Sequence, residues 1–290
     1  MLRSTLRWTL ILACLFALGP AVYSLLLRVH DAEGGRAVTL LINADASRAA
    51  VGGLCAFVVA GAVGLVGARF FSIGTGFLCS GIVLAWARWG LGTLDDLARI
   101  SGHPMHTATR AIENAAAVAI TLLLACVMVV ISARRQPKGS PGAPGEGLLG
   151  VAVLGDGPRA AALGGGFAIG LVAAGAVAWL MGSSDLRGQA LMAALLGALV
   201  CGAVGQLVAS SMRCSLTPVV PVLVLLVLGI AGPLLAQMTH GSRLVDLIYQ
   251  NEVFGLARPV SLDWAAGALL GGPIGLGWAG AMLDVRAAED

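Results

Sequence analysis

The sequence predicts an all-α integral membrane protein, and three observations carry this prediction. Of the 290 residues, 58% are hydrophobic and only 11% are charged, whereas soluble globular proteins carry about 25% charged residues. The mean hydropathy of +0.91 is correspondingly high. The apolar residues stand in continuous runs of about 20 residues, which cross a bilayer as helices, rather than in the alternating pattern of a transmembrane β-barrel. A water-soluble fold is therefore excluded.

Eight such runs predict eight transmembrane helices. Their approximate bounds are 8–27, 49–68, 70–86, 112–133, 160–181, 189–210, 218–236 and 264–283. Between the first two runs, charged residues flank an apolar patch at 38–42, a pattern typical of a short helix lying on the membrane surface. Arg88 and Trp89 follow the third run, where basic and aromatic side chains anchor to lipid head groups.

Residues 134–159, RRQPKGSPGAPGEGLLGVAVLGDGPR, form the one long polar, Pro/Gly-rich interval of the sequence. This interval separates two groups of four predicted helices. We therefore expect a first transmembrane half at 1–135, a cytoplasmic linker at 136–159 and a second transmembrane half at 160–290. Pro and Gly at this density favour a tether over a folded element.

Basic residues give the expected orientation by their density, since each side of the predicted topology has nine of them. The positive-inside rule gives most weight to short loops and to residues near helix ends. One side has a basic N-terminus, two tight turns with a lone arginine and a basic cluster after the fourth helix; these residues are Arg3, Arg7, Arg69, Arg213, Arg134 and Arg135. We expect this side, with both termini, to be the cytoplasmic side of a bacterial-type inner membrane.

The second half resembles the first at a constant offset of 150 residues. Asp96 and Glu113 correspond to Asp246 and Asp263, and both pairs are 17 residues apart (113 − 96 and 263 − 246). Because acids are scarce in this chain, the shared spacing indicates an internal duplication. Four helices per half would make the two copies parallel, related by an axis along the membrane normal.

Two of these acids, Glu113 and Asp263, are predicted at the first turns of the fourth and eighth helices. A carboxylate at that position accepts hydrogen bonds from free backbone N–H groups and meets the positive end of the helix dipole. Helix capping is therefore the expected role. An ion-binding or catalytic role is the alternative.

A metal site is suggested by the string His103-Pro-Met-His106 in the loop before the fourth helix. Two imidazoles three residues apart can share one ion, and Asp95 and Asp96 stand nearby to complete its shell. The alternative is that these histidines are solvated loop residues. No other cofactor is expected.

A substrate pathway is suggested near the middle of the eighth helix, at Leu270-Gly-Gly-Pro-Ile-Gly-Leu-Gly277. Pro273 removes a backbone donor and the glycines weaken the helix, so a kink or break is expected there, as in transporters that bind substrates at broken helices. Gln206 is one of the few polar side chains within the apolar runs. The alternative is close helix packing through Gly271 and Gly275. The full set of pathway residues is Gly271, Gly272, Pro273, Gly275 and Gln206.

For function, these features favour a non-enzymatic accessory or scaffold subunit, because no Asp, Glu, Lys, Arg or His lies near the centre of any apolar run. Its expected partners are the lipid bilayer and, through Gly/Ala-rich helix faces, itself or other membrane proteins. A net charge of +3, scattered along the chain, argues against nucleic acid. The alternatives are a passive or weakly coupled transporter of a small or lipid-like substrate, with its pathway between the repeats, and a membrane enzyme with a His/Asp site on the outer face.

Overall fold

A computed structural model describes residues 2–31, 34–94, 96, 106–134, 157–184, 186–212 and 214–289. It gives side chains for all of these except 106, 157–159, 162, 187, 242, 249 and 284–289. The described part of the chain is helical and contains no strand, only one isolated antiparallel bridge between His30 and Arg36. The linker predicted at 136–159 lies almost entirely outside the described residues.

Besides two short 3-10 helices at Gly241–Arg243 and Gly255–Ala257, nine α-helices have bounds in the described ranges. They are α1 (Leu2–Leu26), α2 (Ala46–Phe70), α3 (Ile73–Trp89), α4 (His106–Ala133), α5 (Gly157–Met181), α6 (Arg187–Ser211), α7 (Val219–His240), the short α8 (Leu244–Tyr249) and α9 (Ser261–Glu289). Seven of them are long and apolar enough to cross a membrane. The chain therefore has the architecture of a multi-pass membrane protein. The 17 residues of α3 are also apolar and span about 25 Å at about 1.5 Å per residue.

Successive long helices run in alternating directions, which gives the molecule two ends. The loop-rich end holds the described connecting residues 27–31, 34–45, 90–94, 182–184 and 241–260. The linker end holds the two-residue turn between α2 and α3, residues 214–218 and the first residues of α1. Within the halves, α2 packs on α3, while α6 packs on both α5 and α9. Between the halves, α4 packs on α7, and α9 packs on α3 and α4.

The surface helix expected around 38–42 is absent. Residues 34–45 contain no helix, and Ala37, Val38 and Thr39 are buried. Val38 belongs to a hydrophobic cluster at the loop-rich end, which we call the apolar cap. Both halves contribute side chains to this cluster. Its buried members are Val38, Leu94, Ala236, Leu244, Leu247, Ile248, Val253, Ala257 and Val260. Residues 38–40 of the apolar patch are thus part of the protein interior, whereas Leu41 is 45% exposed.

The predicted break in the last helix is also absent, because α9 is continuous through Pro273. Gly271 and Gly275 face the backbone of α6, where a Cβ atom on either would overlap the carbonyl oxygens of Leu195 and Leu199. Glycine at these positions lets two helices approach more closely than any side chain would allow. The glycines of α9 therefore form a helix–helix contact.

Candidate functional site

The most distinctive chemical feature of the structure is a group of buried polar side chains at the loop-rich end, which we call the buried polar layer. All of its members are at most 5% exposed. They are Arg88, Arg110, Glu113, Asn114, Arg258, Ser261 and Asp263. Burying charge in an apolar environment is costly unless each charge is paired or hydrogen-bonded, so the partners of these groups decide what the layer does.

Arg88 and Asp263 form an ion pair between the end of α3 and the start of α9. The Arg88 Nε atom lies 2.8 Å from Asp263 Oδ1, and both side chains are almost fully buried. The contact is an ion pair at hydrogen-bond distance. Arg88 Nη1 also donates to the carbonyl oxygen of Gly92 at 2.9 Å, and Asp263 Oδ2 accepts from the backbone N–H of Val260 at 2.9 Å. Each charge thus has a second, backbone partner.

Arg88 therefore does not anchor to lipid head groups as its sequence position suggested. Trp89, the next residue, is 44% exposed, so only the tryptophan faces outward. Asp263, in the first turn of α9, accepts the backbone N–H just before that helix and is simultaneously the counter-ion of Arg88.

Glu113 binds two segments that lie outside its own helix. Its Oε1 accepts from the Ser261 hydroxyl at 2.6 Å, and its Oε2 accepts from the backbone N–H of Leu41 at 2.9 Å. Because α4 begins at His106 rather than near Ile112, Glu113 lies in the second turn, where backbone N–H groups already bond within the helix. Glu113 accordingly does not cap α4. It fixes the non-helical segment 37–42 and the first residue of α9.

The two other arginines of the layer bind backbone carbonyls. Arg110 Nη2 donates to the carbonyl oxygen of Ala257, and Arg258 Nη2 donates to that of Asn251 at 3.0 Å. Both guanidinium groups thus donate to main-chain oxygens of the segment 251–258, which contains a single short helical turn at Gly255–Ala257.

Asn114 replaces a backbone hydrogen bond that α7 lacks. Pro233 has no N–H, so the carbonyl of Gly229, four residues earlier, loses its normal helical donor. The side-chain amide of Asn114 donates to this carbonyl at 2.8 Å. Next to it, the ring of Trp264 packs against Gly229, where a Cβ atom would lie 3.1 Å from the indole. The bond joins α4 of the first half to α7 of the second.

Four of the contacts described above cross from the part of the chain before the linker to the part after it. This holds for Arg88 with Asp263, Glu113 with Ser261, Arg110 with Ala257 and Asn114 with Gly229; Thr107 adds a fifth bond, to Gln237 at 3.1 Å. If all groups are ionised, three guanidinium groups face two carboxylates. Each oxygen of the two carboxylates has a partner, and through these contacts the layer links the part of the chain before the linker to the part after it.

Three of the four proposed metal ligands have no described side chain. His103 and Asp95 lie outside the described residues, and only the backbone of His106 is described. Asp96 Oδ2 accepts from the backbone N–H and the hydroxyl of Thr93, at 2.7 and 3.0 Å. No group of three His, Cys, Asp or Glu side chains converges in the described ranges. The metal site stays a prediction.

The residues proposed for a pathway lie in helix contacts. Gly271 and Gly275 pack on α6, and Gly272 faces Pro221 of α7. Gln206 Oε1 accepts from the backbone N–H of Leu216 at 2.7 Å, and its Nε2 donates to the Ser210 hydroxyl at 2.9 Å. Gln206 therefore fastens the end of α6 to the segment before α7.

Sequence reasoning missed five members of the layer, namely Arg88, Arg110, Asn114, Arg258 and Ser261. Arginines at the ends of apolar runs have the pattern of interface anchors, and their burial follows only from tertiary contacts. One signal was available: a proline inside an apolar run leaves a carbonyl without a donor four residues earlier, which predicts a polar partner on a neighbouring helix.

No protein family, curated protein or solved structure matches this chain at a significant level, so its function is argued from the buried polar layer itself.

Proposed function

We propose that this chain is an eight-helix protein of a bacterial-type inner membrane, with both termini and the linker in the cytoplasm, and that it is a non-enzymatic accessory or scaffold subunit. One observation carries the proposal: the buried ionisable groups are used to join the two halves. The place where the two halves meet is called the junction below. Arg88, Glu113 and Asp263 each bind a partner across this junction or a backbone group next to it. A rigid junction of this kind suits a subunit that presents a fixed surface.

The surface best suited to another membrane protein is the outward face of the second half of α9. Ile274, Trp278 and Met282 are exposed there, and nothing lies within 4 Å of a Cβ atom placed on Gly277 or Gly280. Open glycines beside large apolar side chains let a second helix approach closely. By contrast, the exposed face of α2 presents the branched side chains of Val51, Leu54 and Val58.

This proposal is tested by photo-crosslinking in native membranes. Benzoylphenylalanine replaces Trp278 in one variant and Val58 in the matched control, and both are irradiated. The proposal expects one discrete protein adduct, a second copy or another membrane protein, from position 278 and none from position 58. Lipid adducts alone at both positions would contradict it.

A second candidate is a passive or weakly coupled transporter whose pathway runs between the halves. The observation that favours it is that the Arg110 Nε and Trp264 Nε1 donors are buried at the junction without a hydrogen-bond partner among the described residues. In this alternative the ion pair between Arg88 and Asp263 is a closed gate.

The transporter alternative is tested in proteoliposomes with glycerol and urea as probes. If the chain is a scaffold, proteoliposomes that contain it should be no more permeable to glycerol and urea than protein-free vesicles. Flux above that level, raised further by Arg88→Gln with Asp263→Asn, would favour the transporter instead. The outer-face enzyme stays a weaker alternative, since Asp246 and Glu252 are exposed and Asp96 bonds locally.

A further inference from the structure

The linker end of the first half carries a cleft that the proposed function does not use. The cleft has a volume of about 440 Å³ and lies between the last turns of α2 and α4. It is lined by Leu65, Val66, Arg69, Phe70, Ile131 and Arg134. Both helices that form it are long and apolar enough to cross a membrane.

Its polar and apolar parts are ordered by depth. Leu65, Val66 and Ile131 stand three to four residues before the arginines along their helices, about 5 Å deeper at about 1.5 Å per residue. Arg69 and Arg134 stand at the helix ends. The apolar part therefore matches the depth of acyl chains, and the basic part matches the depth of lipid head groups.

The two arginines lack counter-ions within the described residues. Both side chains are exposed, neither forms an ion pair or hydrogen bond there, and no acidic residue lines the cleft. A third arginine is close to the rim, because Arg3 Nη2 donates to the carbonyl oxygen of Phe71 at 3.0 Å. The rim is thus a cationic site above an apolar floor.

We infer that this cleft binds an anionic phospholipid, with the phosphate between Arg69 and Arg134 and an acyl chain along Leu65, Val66 and Phe70. Guanidinium groups bind phosphate oxygens through planar, charge-assisted hydrogen bonds. The apolar floor distinguishes a lipid from free phosphate, which would use the rim alone. The inference rests on the chain's spanning a bilayer and is independent of whether it is a scaffold.

The test is native mass spectrometry of the purified full chain in detergent, with phosphatidylglycerol or phosphatidylcholine added. The wild type is expected to retain phosphatidylglycerol at least tenfold better than phosphatidylcholine. Arg69→Gln with Arg134→Gln should abolish this preference. Arg28→Gln with Arg243→Gln, two exposed arginines at the loop-rich end, is the matched control and should preserve it.

Two further variants test the lipid site even if the double glutamine variant fails to fold. Arg69→Lys with Arg134→Lys retains the charge and should keep most of the preference. Val66→Trp fills the apolar floor without changing charge and should reduce lipid retention. Equal retention of both lipids by the wild type, equal loss in the loop-end control, or complete displacement by millimolar inorganic phosphate would each overturn the lipid site.

Discussion

The ion pair between Arg88 and Asp263 is held at a depth where either charge alone would be unfavourable. Removing one partner from a buried pair typically costs about 3 to 5 kcal/mol, because the other charge stays behind without compensation, whereas removing both is often close to neutral. The pair therefore adds little to the stability of the fold, but it strongly favours one specific arrangement of α3 against α9.

The ion pair gives the first prediction. Asp263→Asn keeps the acceptor for the Val260 N–H but leaves Arg88 uncompensated, so we expect a loss of about 3 kcal/mol in the free energy of unfolding. Arg88→Met with Asp263→Asn should recover most of that loss. Thermal unfolding in detergent measures both, and a single variant as stable as the wild type would contradict the burial of the pair.

Asn114 gives the second prediction. Asn114→Ala should lower the free energy of unfolding by about 1 kcal/mol, because the Gly229 carbonyl then has no donor. In a Pro233→Ala background the backbone N–H of residue 233 supplies that donor, so the cost of Asn114→Ala should shrink. Thr121→Ala on the same helix is the control, since its hydroxyl bonds to Ala117 within α4 and should not respond to Pro233→Ala.

At the scale of helices, close packing of α6 on α9 depends on glycine, and this gives the third prediction. Gly275→Ala places a Cβ atom against the Leu199 carbonyl, a backbone group that cannot rotate away, and should cost about 2 kcal/mol. Gly277→Ala, in the same helix with open space around it, should be neutral or stabilising by up to about 1 kcal/mol. Equal melting temperatures for the two variants would contradict the packing.

Helix positions were predictable because hydropathy over about 20 residues is a local property. Seven of the eight predicted runs match helices long enough to cross a membrane, and the run 70–86 matches the shorter α3. The fourth run was placed late, because α4 begins at His106, six residues before Ile112. The segment at 38–42 was not predictable, since an apolar patch between charges has the same pattern on a membrane surface and inside a protein. What decides its place is Glu113, which satisfies the Leu41 N–H from 72 positions away.

At the scale of the molecule, the contacts between the halves are consistent with the predicted duplication. If α3 and α4 correspond to α7 and α9, the pairs α4–α7 and α3–α9 are equivalent, and both are observed. Glu113 and Asp263, equivalent at the offset of 150, both lie in the buried polar layer. Packing within the halves differs, however, because α9 packs extensively on α6 whereas α3 is the main partner of α2. The repeat stays a prediction.

The junction between the halves gives the last prediction, which concerns the linker. The five side-chain bonds at the loop-rich end, with the α4–α7 and α3–α9 contacts, hold the halves together without any need for residues 136–159. A protease site inserted into the linker should therefore allow complete cleavage while both fragments still co-purify in mild detergent.

Asp263→Asn weakens the junction, so its cleaved fragments should separate at a lower temperature than those of the cleaved wild type. Gly277→Ala, which lies away from the junction contacts, should leave that temperature unchanged. Separation of the wild-type fragments immediately after cleavage would show that the linker, rather than the buried polar layer, keeps the halves in place.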